Sequence, residues 1–153
     1  MITTIDGDIL TSPAQMLVNP VSCDGGCGSA GLANLFKRQF PNNDKLLQKA
    51  CGLNMLQPGK IFIYPVTRND RTIYIANFPT RRFKSAKSLV PDIERGLISL
   101  RSQIEQLSIT SVAIPALGCG AGGLGWMAVL PLIKTILAGL KRVKIEVYLP
   151  HEK

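Results

Sequence analysis

The sequence predicts an α/β fold, a mixed and largely parallel sheet with helices on both faces. Three observations predict it. Strand-like apolar runs alternate with helical patterns through most of the chain. The runs Leu17–Val21 and Val112–Pro115 are largely apolar without alternation, as strands buried on both faces are. A glycine-rich loop follows each of these strands and leads into a helix, and in such sheets ligands bind beyond the carboxyl ends of the strands.

The elements follow in order. Ile2 to Ile5 alternates and predicts a short strand ending at the turn Gly7-Asp8. Leu17–Val21 is the second strand, followed by the loop Ser22–Ala30. Gly31 to Phe40 reads as a helix with Leu32, Leu35, Phe36 and Phe40 on one face, stopped by Pro41; Asp44 to Cys51 makes another. Ile61–Val66 and Thr72–Asn77 are strand-like runs joined by the polar turn Thr67–Arg71, which predicts a hairpin. A polar, basic loop, Thr80–Lys87, comes next. Val90, Ile93, Leu97, Leu100, Ile104 and Leu107 then recur at spacings of three and four, the clearest amphipathic helix of the chain. Pro91 sits near its start, and Asp92 and Glu94 lie in the first turn, where the helix dipole favours acids. Val112–Pro115 is a strand, Trp126 to Leu140 a helix and Val143 to Leu149 the last strand.

At 153 residues the chain reads as one domain, 1–153, long enough to bury a core. Hydrophobic residues at 46% against 18% charged exclude a disordered chain. The first residues carry no basic region ahead of an apolar core, and no apolar run is long enough to span a bilayer, so a cytoplasmic protein is expected. Cys23 and Cys27 have no second pair, and the only histidine, His151, is near the end, so no metal set and no cofactor are expected. Packing accounts for the cysteines at least as well as reactivity does. The net charge of +8 fits polyanionic partners such as nucleic acid or nucleotides, and equally a basic protein without one.

The most informative run is Ala116-Leu117-Gly118-Cys119-Gly120-Ala121-Gly122-Gly123-Leu124-Gly125, ending at Trp126. Strand, glycine loop and helix start form a phosphate site: glycine lets backbone N–H groups approach an anion, and the helix N-terminus adds positive charge. The spacing is not the dinucleotide fingerprint, and no Gly-Lys-Ser/Thr closes it as a Walker loop. The loop at 22–31 gives a second glycine run beside the same crevice, and two such loops suit a diphosphate. Asp8 can accept from an exocyclic amine such as that of adenine, or can serve as a turn or cap residue. Arg81, Arg82, Lys84 and Lys87, with Phe83 between them, suit phosphates and a stacked base, or form a solvated surface loop.

Four segments, in order, carry a family resemblance over essentially the whole chain. They are Gly7-Asp8-Ile9-Leu10; Asn19-Pro20-Val21-Ser22-Cys23 through Gly28, Gly31-Leu32-Ala33 and Phe36-Lys37; Asn77-Phe78-Pro79-Thr80-Arg81; and Ile114 through Trp126. Pro58-Gly59-Lys60 also matches. The chain resembles a macrodomain, most of all the branch of the DNA ADP-ribosyl glycohydrolase antitoxin and the terminal ADP-ribose glycohydrolases. The resemblance implies a three-layer α/β/α fold that binds ADP-ribose. It implies that Asp8 accepts from the adenine amine with the Ile9 backbone beside it, and that Tyr148 lies near the adenine. It implies that Gly118, Cys119, Gly120, Ala121, Gly122, Gly123 and Leu124 wrap the diphosphate. The loop 22–31, with Ser22, Cys23, Gly25 and Gly28, would close over the distal ribose, with Thr80 and Arg81 at the site.

The chain departs from that pattern where the branch places its chemistry. Ser22 stands where the branch has asparagine and Arg81 where it has a lysine; Gly122 and Gly125 stand where other members carry an aspartate, and one residue is extra near Ser29-Ala30. Arginine stays protonated and cannot act as nucleophile or base, although it can stabilise developing charge. Asp24 can orient a water. Two functions are therefore expected as alternatives. One is removal of ADP-ribose from modified nucleic acid or protein, with Arg81, Ser22 and Asp24 as the candidate catalytic residues. The other is capture of ADP-ribose or a derivative without turnover.

Overall fold

A computed structural model describes residues 1–25 and 31–150. The strands are β1 (Ile2–Ile5), β2 (Met16–Ser22), β3 (Phe62–Arg68), β4 (Arg71–Arg81), β5 (Ser111–Ile114) and β6 (Lys144–Tyr148). The helices are α1 (Leu32–Gln39), α2 (Pro41–Gly52), α3 (Val90–Gln106) and α4 (Trp126–Leu137). The six strands form one sheet in the order β1-β6-β5-β2-β4-β3, parallel throughout except for the antiparallel β3–β4 hairpin.

The sheet separates two cores because strand side chains alternate in direction. Met16 and Val18, Ala76 and Phe78, Val112 and Ile114, and Ile145 and Val147 face α3 and α4. Leu17, Ile73, Ile75, Ala113 and Tyr148 face α1. The spacing seen in α3 buries Ile93, Leu97, Leu100 and Ile104 completely or nearly so, each worth about 1.5–3 kcal/mol of transfer from water. Leu107 is the helix C-cap and is partly exposed. The three-layer α/β/α expectation is met.

Several boundaries differ from the sequence reading, most of them by one or two residues, and β3 and β4 run closer together at the hairpin, to Arg68 and from Arg71. β4 continues through Pro79 to Arg81 rather than ending at Asn77. Its partner β3 starts at Phe62, opposite Asn77, so residues 78–81 pair only with β2, and Pro79 costs no hydrogen bond on the β3 side. Thr80 and Arg81 are thus the end of a strand, not a loop. Pro41 opens α2 as well as closing α1, because proline is tolerated in the first helical turn. A 3-10 turn, Ile9–Thr11, follows β1, and α4 stops at Leu137. The expected loop Ser22–Ala30 is described only as far as Gly25, so Cys27 and Gly28 lie outside the described residues.

Candidate functional site

The parallel strands β1, β6, β5, β2 and β4 end on one edge of the sheet. From β2 the chain next enters the sheet on the β4 side, whereas from β5 it moves to β6 on the other side. The strand order therefore reverses between β5 and β2, where sheets of this kind take their ligands, and the chain leaves both strands there into the two glycine-rich segments.

The loop after β5 closes on itself through its backbone. The N–H of Cys119 donates to Ala116 O, that of Gly123 to Gly120 O and that of Leu124 to Gly118 O at 2.8 Å. The N–H groups of Gly120, Ala121 and Gly122 have no partner among the described residues. Three successive N–H groups left unpaired at a turn are donors that an anion can take up. The glycines are glycine for different reasons. Gly118 has φ +74°, a left-handed conformation that disfavours side chains. At Gly122 a Cβ would run into Ser88 Oγ and stand 2.7 Å from Gly118 O. Gly120 and Gly125 face open space. Cys119 is half-buried, its thiol donating to Leu117 O at 3.6 Å, and burial pushes its pKa up.

The loop after β2 is stapled to the end of β4. Cys23 N–H donates to Arg81 O at 2.8 Å and Gly25 N–H to Ser22 O at 3.1 Å. The buried Ser22 hydroxyl donates to Asp24 Oδ1 at 2.6 Å, and Lys84 N–H donates to Asp24 Oδ2 at 3.1 Å. Both carboxylate oxygens of Asp24 are thus engaged in holding two loops together. The Arg81 guanidinium donates to Lys84 O, and the Thr80 hydroxyl reaches Val21 O at 3.4 Å. Gln48 on α2 donates to Gly25 O at 3.0 Å. Burial, aided by the Asp92 charge, pushes the Cys23 thiol up to about 11, so it stays protonated at neutral pH. This thiol is in a packing role.

At the far end of the edge, Asp8 caps the 3-10 turn by accepting from Leu10 N–H at 3.0 Å, as the cap reading expects; it is exposed, with acceptor capacity left. Ile9 and Tyr148 pack in one cluster, and Tyr148 lies beside Gly7. The structure therefore gathers Asp8, Ile9 and Tyr148 in one group. Ser22, Cys23, Asp24, Gly25, Thr80 and Arg81 form a second, and Gly118 through Leu124 a third.

Sequence reasoning missed three features. Ser88 is buried beneath the glycine loop, its N–H donating to Gly122 O at 2.9 Å and its hydroxyl without a partner among the described residues. A serine just before a helix reads as a cap, and nothing in the sequence pairs it with a loop some 30 residues on. Lys87 lies along Gly123. Asn19, Asn43 and Asn77, buried and hydrogen-bonded to one another at 2.7–3.0 Å, lock β2, β4 and α2 beneath the first loop. Asn19 and Asn77 stand in the family motifs but were not read as a pair.

Comparison with known proteins agrees with this fold. A family model described as Macro domain matches residues 18–133. The DNA ADP-ribosyl glycohydrolase of Thermus aquaticus is 38% identical over 152 residues, 99% of this chain and 42% of that protein, so the chain spans less than half the length of that relative. The human ADP-ribose glycohydrolase OARD1 is 28% identical over 148 residues, covering 96% of this chain and 90% of that one. The solved macrodomain of Mycobacterium tuberculosis DarG superposes with a TM-score of 0.95 at 38% identity, over 99% of both chains. Thermosipho africanus DarTG, solved in complex with ADP-ribose, superposes with a TM-score of 0.91 at 34% identity, over 99% of this chain and 42% of that one. The chain belongs to the Macro domain family.

Proposed function

We propose that the chain binds ADP-ribose joined to a nucleic acid, along the edge from β1 to β4. The observation that carries this reading is the run of Gly120, Ala121 and Gly122 N–H groups, unpaired among the described residues, at the point where the strand order reverses. A diphosphate oxygen is the acceptor such a run fits. α1 and α4 both start at a glycine with no side-chain cap and no acid in the first turn, so both N-termini favour an anion. Four strand steps separate β1 from β4, about 19 Å, which suits an extended dinucleotide-like ligand. In this placement Asp8 accepts from the adenine amine, Ile9 and Tyr148 flank the base, and Gly118 through Leu124 wrap the diphosphate. Ser22, Cys23, Gly25, Thr80 and Arg81 surround the distal ribose. The net charge of +8 and the curated relatives named for DNA ADP-ribosyl glycohydrolase activity support nucleic acid as the carrier. We take residues 1–153 as one macrodomain unit acting in the cytoplasm; no helix among the described residues is long and apolar enough to cross a membrane.

A second reading, release of the bound ADP-ribose, rests on those same relatives. In it Arg81 stabilises charge on the leaving group and Asp24, held by Ser22, orients water. Against it stands the arginine, which cannot give up its proton. Calorimetry with ADP-ribose, run beside release assays on ADP-ribosylated DNA and protein, separates the readings. Binding without release on either substrate removes the hydrolase; absence of binding removes both.

A further inference from the structure

We infer that the loop following β4, residues 82–87, is a platform for the single-stranded nucleic acid flanking the modified nucleotide, with Phe83 stacking on a neighbouring base and Lys84 meeting a phosphate. This rests on the ADP-ribose reading above and names the carrier's binding surface.

The loop is fixed at both ends. Arg82 pairs with the buried Asp92 at 3.2 Å, which also pairs with Arg95. Lys84 is held through both backbone groups, its N–H by Asp24 and its carbonyl by Arg81. Ala86 N–H donates to Phe83 O at 3.0 Å, and Ser88 N–H to Gly122 O. Asp24 belongs to one glycine loop and Gly122 to the other, so this segment bridges both walls of the crevice.

On that braced backbone Phe83 is 60% exposed. An aromatic ring held out in water gains nothing from the fold; its apolar area is available to a partner, and a fixed loop loses little freedom on binding one. Lys84 and Lys87 are exposed, and neither pairs with an acid among the described residues. Cations interleaved with an exposed aromatic are the composition that binds single strands, phosphates to the cations and a base to the ring. A single strand fits better than a duplex, because a nucleotide whose ADP-ribose enters the crevice must leave its stack.

The test compares free ADP-ribose with a single-stranded oligonucleotide carrying ADP-ribose on one base. Affinity is read before any release. The chain is expected to bind the oligonucleotide about 5- to 150-fold more tightly than ADP-ribose, the range of one stacked base. Phe83→Ala should remove most of that advantage while leaving ADP-ribose affinity unchanged. Lys84→Ala should lower the slope of log affinity against log salt by about 0.7, one single-strand phosphate contact. Lys141→Ala, which removes an exposed charge at the opposite edge of the sheet, should do neither. If ADP-ribose binds but the oligonucleotide adds nothing, or if Phe83→Ala keeps the advantage, the platform is overturned. Failure of ADP-ribose itself to bind overturns the underlying reading instead.

Discussion

The two loops that meet at Ser88 are built by opposite means. The loop 118–125 is uncharged and closed by its own backbone hydrogen bonds, with Gly122 buried against Ser88. The loop 82–87 is rich in cations and held by side chains, Arg82 on Asp92, Arg81 on Lys84 O and Asp24 on Lys84 N–H. A backbone-closed loop presents fixed N–H groups at every pH, and here it has no room for a side chain at Gly118 or Gly122. A loop held by side chains can vary its exposed residues but depends on the ionisation of its anchors. The first is suited to a constant group such as a diphosphate, the second to whatever that group is attached to.

The sharpest way to break this contrast is Gly122→Glu. The new side chain meets Ser88 and Gly118 O, so the loop must open and ADP-ribose binding should be abolished in calorimetry. Unchanged affinity would reject the placement of the loop. The next effect is chemical. With its thiol pushed up to about 11 from 9.0, Cys23 should alkylate with iodoacetamide at pH 8 about tenfold more slowly than a thiol of ordinary pKa, the lower thiolate fraction being partly offset by the greater nucleophilicity of a more basic thiolate, as followed by site-resolved mass spectrometry. Rapid labelling would mean that the first loop opens and leaves its packed position.

Gly120→Ala probes the unpaired N–H groups without touching the packing, because a Cβ there meets nothing within 4 Å. Affinity should fall about tenfold, or about 1.4 kcal/mol, with the melting temperature unchanged; a drop in melting temperature would show that Gly120 serves the fold instead. The smallest effect belongs to the charged loop. Burial pushes the Asp92 carboxyl up, but the hydrogen bonds and charges of Arg82 and Arg95 outweigh it and hold its pKa below 3.8. Its contribution to stability is therefore present above pH 3.8 and lost as pH falls through the folded-state value. The urea midpoint of Asp92→Asn should lie below that of the parent chain at pH 6, and the gap should narrow on acidification below pH 4. A gap that stays constant would assign the difference to packing.

Most of the fold was legible in the sequence because it rests on short-range patterns. The three- and four-residue spacing of α3, the unbroken apolar strands and the glycine runs each report local periodicity or turn chemistry. The misread boundaries depended on partners. Pro79 stays in a strand because β3 starts opposite Asn77, which no local pattern reveals. At the site, the glycine loop was legible as an anion cradle, but the reason for Gly122 was not: its neighbour is Ser88 rather than the ligand path alone.

By itself the sequence determined the layers, the two glycine loops and the chemical character of the crevice, because backbone propensity and hydrophobic period act within a few residues. It also supplied the departures at Ser22 and Arg81, since residue identity alone decides whether a side chain can give up a proton. Only the tertiary structure decided that Asp24 spends its carboxylate joining two loops and that Asp92 anchors the basic segment. It alone decided that Ser88 occupies the space a side chain at Gly122 would need. The contacts of Asp24 with Lys84, of Arg82 with Asp92 and of Ser88 with Gly122 join residues ten to sixty positions apart, and the parallel sheet, by bringing strand ends to one edge, makes those segments neighbours.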